Sequence, residues 1–192
     1  MLKATDFRAM ARDNLKTNWG VSIGVCLIAM ILIGVSSMLP ILGLFIAGPM
    51  TLGLALYFIR LNRTKKAGIN DLFEGFSSTV KAFLGMLLYT IWIALWSLLF
   101  IIPGIIKAFS YAMYPYIMAD NKDMSAIDCI TESRRIMDGN KWRLFCLNFS
   151  FIGWAILASL TFGIGYLWLI PYIQASNANF YESIKNKPAV SN

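Results

Sequence analysis

From Trp19 to Ile59 the chain runs 41 residues without a charged side chain, and no other feature of the sequence limits the fold as much. A helix crosses the roughly 30 Å hydrocarbon layer of a bilayer in about 20 residues. A straight helix of 41 residues would reach about 60 Å, so the run must turn back on itself. Ser36-Ser37-Met38-Leu39-Pro40 is the expected reversal, because the residue before a proline is disfavoured in the helical region. Ala82 to Ala119 repeats the arithmetic with 38 residues, one charge (Lys107), and Pro103-Gly104 near its middle. Leu144 to Tyr181 repeats it again with 38 uncharged residues and Thr161-Phe162-Gly163-Ile164-Gly165 at the reversal. The reading is an all-α integral membrane protein, residues 1–192 as one polytopic domain. Its six spans, about 19–38, 41–59, 82–102, 104–119, 144–161 and 164–181, pair into three hairpins. Pro171 is expected to kink the sixth rather than end it.

Composition agrees with that class. Hydrophobic residues make up 58% and charged residues 14%, with a mean hydropathy of +0.63, where soluble proteins average about 45–50% apolar and about 25% charged. The net charge of +7 does not gather in a basic domain, so nucleic-acid binding is not expected. Sixteen of the seventeen Lys and Arg residues fall in the first 18 residues, in 60–81, in 120–143 and in the tail, and only Lys107 lies elsewhere. The positive-inside rule then puts both termini and both long connections in the cytoplasm. The first apolar run is too long for a signal-peptide core and leads straight into a second, so it is expected to be retained. The three cysteines, Cys26, Cys129 and Cys146, form no CxxC pair and the chain has no histidine, which excludes a zinc site of the usual Cys/His kind. Reduced thiols are expected.

Each hairpin is preceded by a charged segment with helical periodicity. Phe7, Met10, Ala11 and Asn14 fall on one face of the first, opposite a basic stripe of Arg8, Arg12 and Lys16. Leu72, Phe73, Phe76, Val80 and Phe83 form the second series. In the third, Ser125 to Asp128 has the form of a capping box, Ile127, Ile130 and Met137 line one face, and Gly139 is placed as the C′ residue. These cytoplasmic amphipathic segments suit either the inner headgroup region or packing against the spans.

Few groups could carry chemistry. Lys107 is the lone intramembrane charge, and it either snorkels to the outer interface or meets a substrate or headgroup. No Asp, Glu or His lies deep in a span, so neither a proton relay nor an enzyme is expected, and no cofactor or metal. Arg8, Arg12, Lys107, Arg134 and Arg135 are the candidate lipid or partner contacts. Asp120, last residue of the fourth span, is expected to pair with Arg134 or its neighbour Arg135. Gln174, Asn177 and Tyr181 form a polar face on the sixth span, which suits interhelical hydrogen bonds or the lining of a hydrophilic cavity. Gly20 with Gly24, and Ala47, Thr51 and Ala55, have small-xxx-small spacing for close helix approach within the monomer or at a dimer seam. Trp19, Tyr111, Tyr114, Tyr116, Trp142, Tyr166, Trp168 and Tyr172 include expected interface anchors.

Several runs resemble a known family when taken in order: Ile101-Ile102-Pro103-Gly104-Ile105-Ile106-Lys107, Tyr116-Ile117-Met118-Ala119-Asp120, and Ser133-Arg134 with Met137, Gly139 and Lys141. Phe149, Phe151, Ile152, Gly153 and Trp154, the Gly163-Ile164-Gly165 turn, Pro171-Tyr172 and Phe180-Tyr181-Glu182 continue the match. They are similar to the bacterial domain-of-unknown-function family 975. The resemblance covers most of the chain after about residue 60. It implies a multi-pass bacterial plasma-membrane protein without an established activity, and a more distant similarity to the membrane domain fused to some glycerophosphodiester phosphodiesterases. That catalytic domain has no counterpart here, so its activity is not carried over.

The functional expectation is therefore a non-enzymatic membrane module that binds membrane lipids, a partner membrane protein or a second copy of itself through its cytoplasmic face, as scaffold, modulator or envelope-stress accessory. The alternative is a small transporter or flippase for a lipid or amphiphile, lined by the polar face of the sixth span.

Overall fold

The computed structural model describes residues 3–36, 40–99 and 101–185. Among them the chain is all-α, in the order α1 (Ala4–Leu15), α2 (Trp19–Ser36), α3 (Pro40–Thr64), α4 (Ile69–Glu74), a 3₁₀ turn (Gly75–Ser78), α5 (Thr79–Leu99), α6 (Ile101–Tyr111), α7 (Tyr114–Asp120), α8 (Ala126–Met137), α9 (Lys141–Phe149), α10 (Ile152–Leu160) and α11 (Tyr166–Ile184). Four stretches are long and apolar enough to cross a membrane: Trp19–Ser36, Phe45–Thr64, Ile69–Ser97 and Lys141–Leu160.

Proline and glycine set most of the boundaries. Ser37, Met38 and Leu39 of the expected first reversal lie outside the described residues, but Pro40 is the first residue of α3, where its missing N–H leaves no helical bond unmade. The second reversal comes earlier than expected. With α5 ending at Leu99 and α6 beginning at Ile101, Pro103 stands in the first turn of α6, whose N–H groups have no helical partner in any case. The chain turns at Thr161–Gly165 where the glycines suggest, with Gly163 at φ +86° and Phe162 at +52°, its side chain 98% exposed.

The fourth expected span is divided into α6 and α7. Pro115 cannot donate a backbone hydrogen bond, and the helix breaks just before it, at Ala112–Met113. Ser133 of α8 repairs the break. Its hydroxyl donates to Ser110 O at 2.9 Å and accepts from Met113 N–H at 3.2 Å, and the side chain is fully buried. This pins α8 along α5, α6 and α7. α8 itself ends as the sequence suggests: Ser125 Oγ accepts from Asp128 N–H at 3.2 Å, and Gly139 takes φ +72° just beyond the C-cap.

α3 is the central helix. Two thirds of its apolar stretch is buried, and it packs on α2, α4, α5, α7 and α11. The tight approaches are glycine-mediated, at positions other than those expected. A Cβ on Gly48 would lie 2.6 Å from Ala82 O, and one on Gly53 would overlap Leu72 O, while Gly75 sits against Pro49 and Gly53. Gly20 and Gly24 have nothing within 4 Å. The expected second amphipathic face also fails as a single face: Leu72 is buried, but Phe73 and Val80 are exposed. The 3₁₀ turn between them winds at three residues per turn and shifts the phase. Tyr111, Tyr114 and Tyr116, expected among the interface anchors, are buried, whereas Trp142 and Trp168 are exposed.

Gly53→Ala is expected to destabilise the protein by about 1–3 kcal/mol, because backbone on both sides must move, while Gly20→Ala is expected to be neutral or slightly stabilising; thermal unfolding in detergent separates the two. Cys129 is fully buried on the packed face of α8, and burial pushes its thiol up to about 11. At pH 8 only on the order of one thiol in a thousand is then thiolate. Iodoacetamide is expected to modify Cys129 only after unfolding, as peptide mass mapping would report.

Candidate functional site

The polar face expected on the sixth span opens onto a cavity. It has a volume of about 350 Å³ and lies between α3, α5, the α6–α7 break, α9 and α11. Its polar walls are Thr51, Tyr89, Tyr116, Asn148, Gln174 and Asn177. Three of these are satisfied within the protein: Tyr116 Oη donates to Gln174 Oε1 at 3.1 Å, Thr51 Oγ1 to Gly48 O at 2.8 Å, and Asn148 Nδ2 to Leu144 O at 3.1 Å. Asn177 Oδ1 is buried and has no hydrogen-bond partner. Among the described residues no carboxylate, lysine or arginine lines the cavity, so its chemistry is neutral hydrogen bonding beside apolar surface from Leu54, Phe109 and Met113.

Tyr181, the third member of the expected face, turns to a charged cluster instead. Its ring stacks on Tyr116 at 5.7 Å, and its hydroxyl donates to Asp120 Oδ2 at 3.1 Å. Asp120 is held by Arg63 at 2.6 Å and Lys185 at 3.4 Å, and Arg63 Nε also donates to Glu182 at 2.8 Å. One turn back on α3, Arg60 pairs with Asp71 and with Glu74, the latter at 2.6 Å. Beside them Asn14 Nδ2 donates to Asn62 Oδ1 at 2.7 Å and to Asn179 Oδ1 at 3.2 Å.

The expected pairing of Asp120 with Arg134 is therefore corrected: Asp120 belongs to Arg63 and Lys185. α7 packs on α3 and delivers Asp120 to the end of that helix. α8 is pinned through Ser133 at the other end of α7, about two turns away, and so carries Arg134 elsewhere. Arg135 closes on Glu132 at 2.5 and 2.7 Å. Nothing in the composition marked Arg63 as the partner; its only signal was its place in the last turn of a long apolar helix.

The remaining candidates separate. Arg8 is half-buried and donates to Ser150 O at 3.4 Å, serving the carbonyl at the α9–α10 step. Arg12 is exposed at the rim of an apolar groove that includes Trp19, Trp154 and Trp168. Lys107 lies over the Trp96 ring at 4.5 Å and shares a smaller pocket with Arg134.

Asp120→Asn is expected to lower stability by about 1–2 kcal/mol, since it weakens one carboxylate shared by two cations and a phenol in a half-exposed setting. Arg134→Gln is expected to stay within about 0.5 kcal/mol. Thermal unfolding of the two variants side by side checks the reassignment, because the expected Asp120–Arg134 pair would have made them equal.

No curated protein and no solved structure matches the chain. The family described as "Protein of unknown function (DUF975)" matches it over residues 1–111 and 98–188, and the chain belongs to that family.

Proposed function

We propose that this protein is a non-enzymatic, multi-pass plasma-membrane module that binds a lipid or other amphiphile with a neutral, hydroxyl-bearing head in the cavity between α3, α6, α7, α9 and α11. The observation that carries the reading is the lining of that cavity, where Tyr89, Gln174 and Asn177 share one space with Leu54, Phe109 and Met113. Such a lining, amides and phenols mixed with apolar side chains, suits an amphiphile. The walls offer hydrogen bonds but no base beside a nucleophile, which favours binding over chemistry.

The membrane arrangement we propose has six spans in three hairpins, with both termini and the connections 60–81 and 120–143 cytoplasmic. The pairwise packing of α2 on α3, α5 on α6 and α10 on α11 supports it, as does the cation asymmetry. α11, at 19 residues, reaches about 28 Å, and α6 with α7 make one broken crossing against whose middle α8 inserts from the cytoplasmic side.

Transport is the second reading. It is favoured by the α6–α7 break on the cavity wall and by Pro171 three residues before Gln174, since transporters build their sites from interrupted helices. A fluorescent diacylglycerol scrambled faster in proteoliposomes than in empty vesicles would decide for transport.

For binding, native mass spectrometry with diacylglycerol is expected to show one retained molecule, with apparent affinity about tenfold lower in Asn177→Leu and in Gln174→Leu. Equal retention by the folded variants removes the cavity reading. For orientation, single cysteines at Lys66 and Arg135 are expected to resist a membrane-impermeant maleimide in intact cells and to react after permeabilisation. Reaction in intact cells would reverse the topology.

A further inference from the structure

Lys107 and Arg134 come from separate sequence segments and from helices of different character, yet they line one pocket of about 200 Å³ between α5, α6 and α8. Trp92 and Trp96 form its aromatic side, and Leu88 and Ile127 its apolar rim. Lys107 Nζ sits 4.5 Å above the Trp96 ring. Among the described residues no carboxylate pairs with either cation. The acid closest to Arg134 along α8, Glu132, is already taken by both guanidinium arms of Arg135. Arg60, Arg63, Lys122 and Lys185 all have carboxylate partners, whereas Lys107 and Arg134 share one pocket without an acid between them.

Two like charges facing one small pocket raise each other's energy, and an anion between them removes that cost. The pocket offers such an anion the guanidinium fork of Arg134 and the ammonium of Lys107, which rests on the Trp96 ring. The rim is apolar and open, with Trp92 and Ile127 both exposed. We infer that this pocket binds a phosphate group, the phosphodiester of an anionic phospholipid whose chains lie along the apolar rim or a soluble phosphate of the same chemistry. The site is separate from the neutral cavity and does not rest on the reading given for it.

The test uses the whole protein in detergent, titrated with phosphatidylglycerol and phosphatidylcholine by native mass spectrometry and with inorganic phosphate by ³¹P line broadening. Phosphatidylglycerol is expected to be retained over phosphatidylcholine, with apparent affinity falling about tenfold in Lys107→Gln and in Arg134→Gln. Arg134→Lys, which keeps the charge, should recover part of the loss. Arg135→Gln and Asn177→Leu should leave phosphatidylglycerol binding unchanged, the second keeping this site distinct from the cavity. Inorganic phosphate broadening that disappears in the same two variants, without lipid preference, would identify the soluble source of the same group. Lipid and phosphate binding that both survive Lys107→Gln and Arg134→Gln in folded, monodisperse protein would overturn the inference, as would equal retention of phosphatidylcholine together with no phosphate broadening that depends on Lys107 and Arg134.

Discussion

Two arginines one turn apart at the end of a buried helix gather four carboxylates from three other helices. Arg60 takes Asp71 and Glu74 of α4, and Arg63 takes Asp120 of α7 and Glu182 of α11. Both guanidinium groups are partly exposed, so each pair contributes about 0.2–1 kcal/mol. Their larger effect is on register. Apolar helices can slide along one another with little change in buried area, whereas a fork that fits two carboxylates fixes where α4, α7 and α11 stop relative to α3. That register places Tyr116 against Gln174 and stacks Tyr181 on Tyr116, and so sets the floor of the cavity. The same cations lie where the C-terminal dipole of α3 favours positive charge.

How much of this was legible in the sequence depends on whether the deciding interaction was local. Gly139 ending α8, Ser125 opening it and the glycines turning the chain after Leu160 are local, and they were readable. So was the polar face of α11, because a 3.6-residue period puts Gln174 and Asn177 together whatever lies opposite. The partner of Asp120 was not readable, since proximity in sequence favoured Arg134 and Arg135 while helix packing brought Arg63. Close helix approach was sought at Gly20 and Gly24 by spacing alone. It occurs at Gly48 against Ala82, at Gly53 against Leu72 and at Gly75 against Pro49 and Gly53, approaches set by how α3 packs on α4, the 3₁₀ turn and α5, which no pairwise spacing encodes. Pro103 was read as the reversal itself, although a proline is equally at home in the first turn of the helix that follows one. Lys107 was expected to reach outward or meet a headgroup; it faces α8 because Ser133 holds α8 against the α6–α7 break.

Interrupted helices recur around the cavity, and each interruption must dispose of freed backbone groups in surroundings with little water. The Ser150 carbonyl at the α9–α10 step is met by a guanidinium reaching from α1. The Ser110 carbonyl and the Met113 N–H at the α6–α7 break are met by the Ser133 hydroxyl reaching from α8. These are distinct solutions to one accounting problem, and they leave three of the cavity's walls, α6, α7 and α9, as segments shorter than a full crossing.

Ser133 solves that problem with a single atom, and the valence of that atom restricts what can stand at its position. At the break one backbone group offers a hydrogen and the other asks for one, so the side chain must give and receive through one short arm. Amide side chains divide those duties between two atoms set further from the backbone, carboxylates only receive, and thiols bond weakly in both directions. Threonine has the right oxygen but adds a methyl group where no surface is exposed. Simple chemical bookkeeping thus leaves serine as the residue that fits, on a helix whose neighbouring positions tolerate charge, sulfur and branched carbon alike.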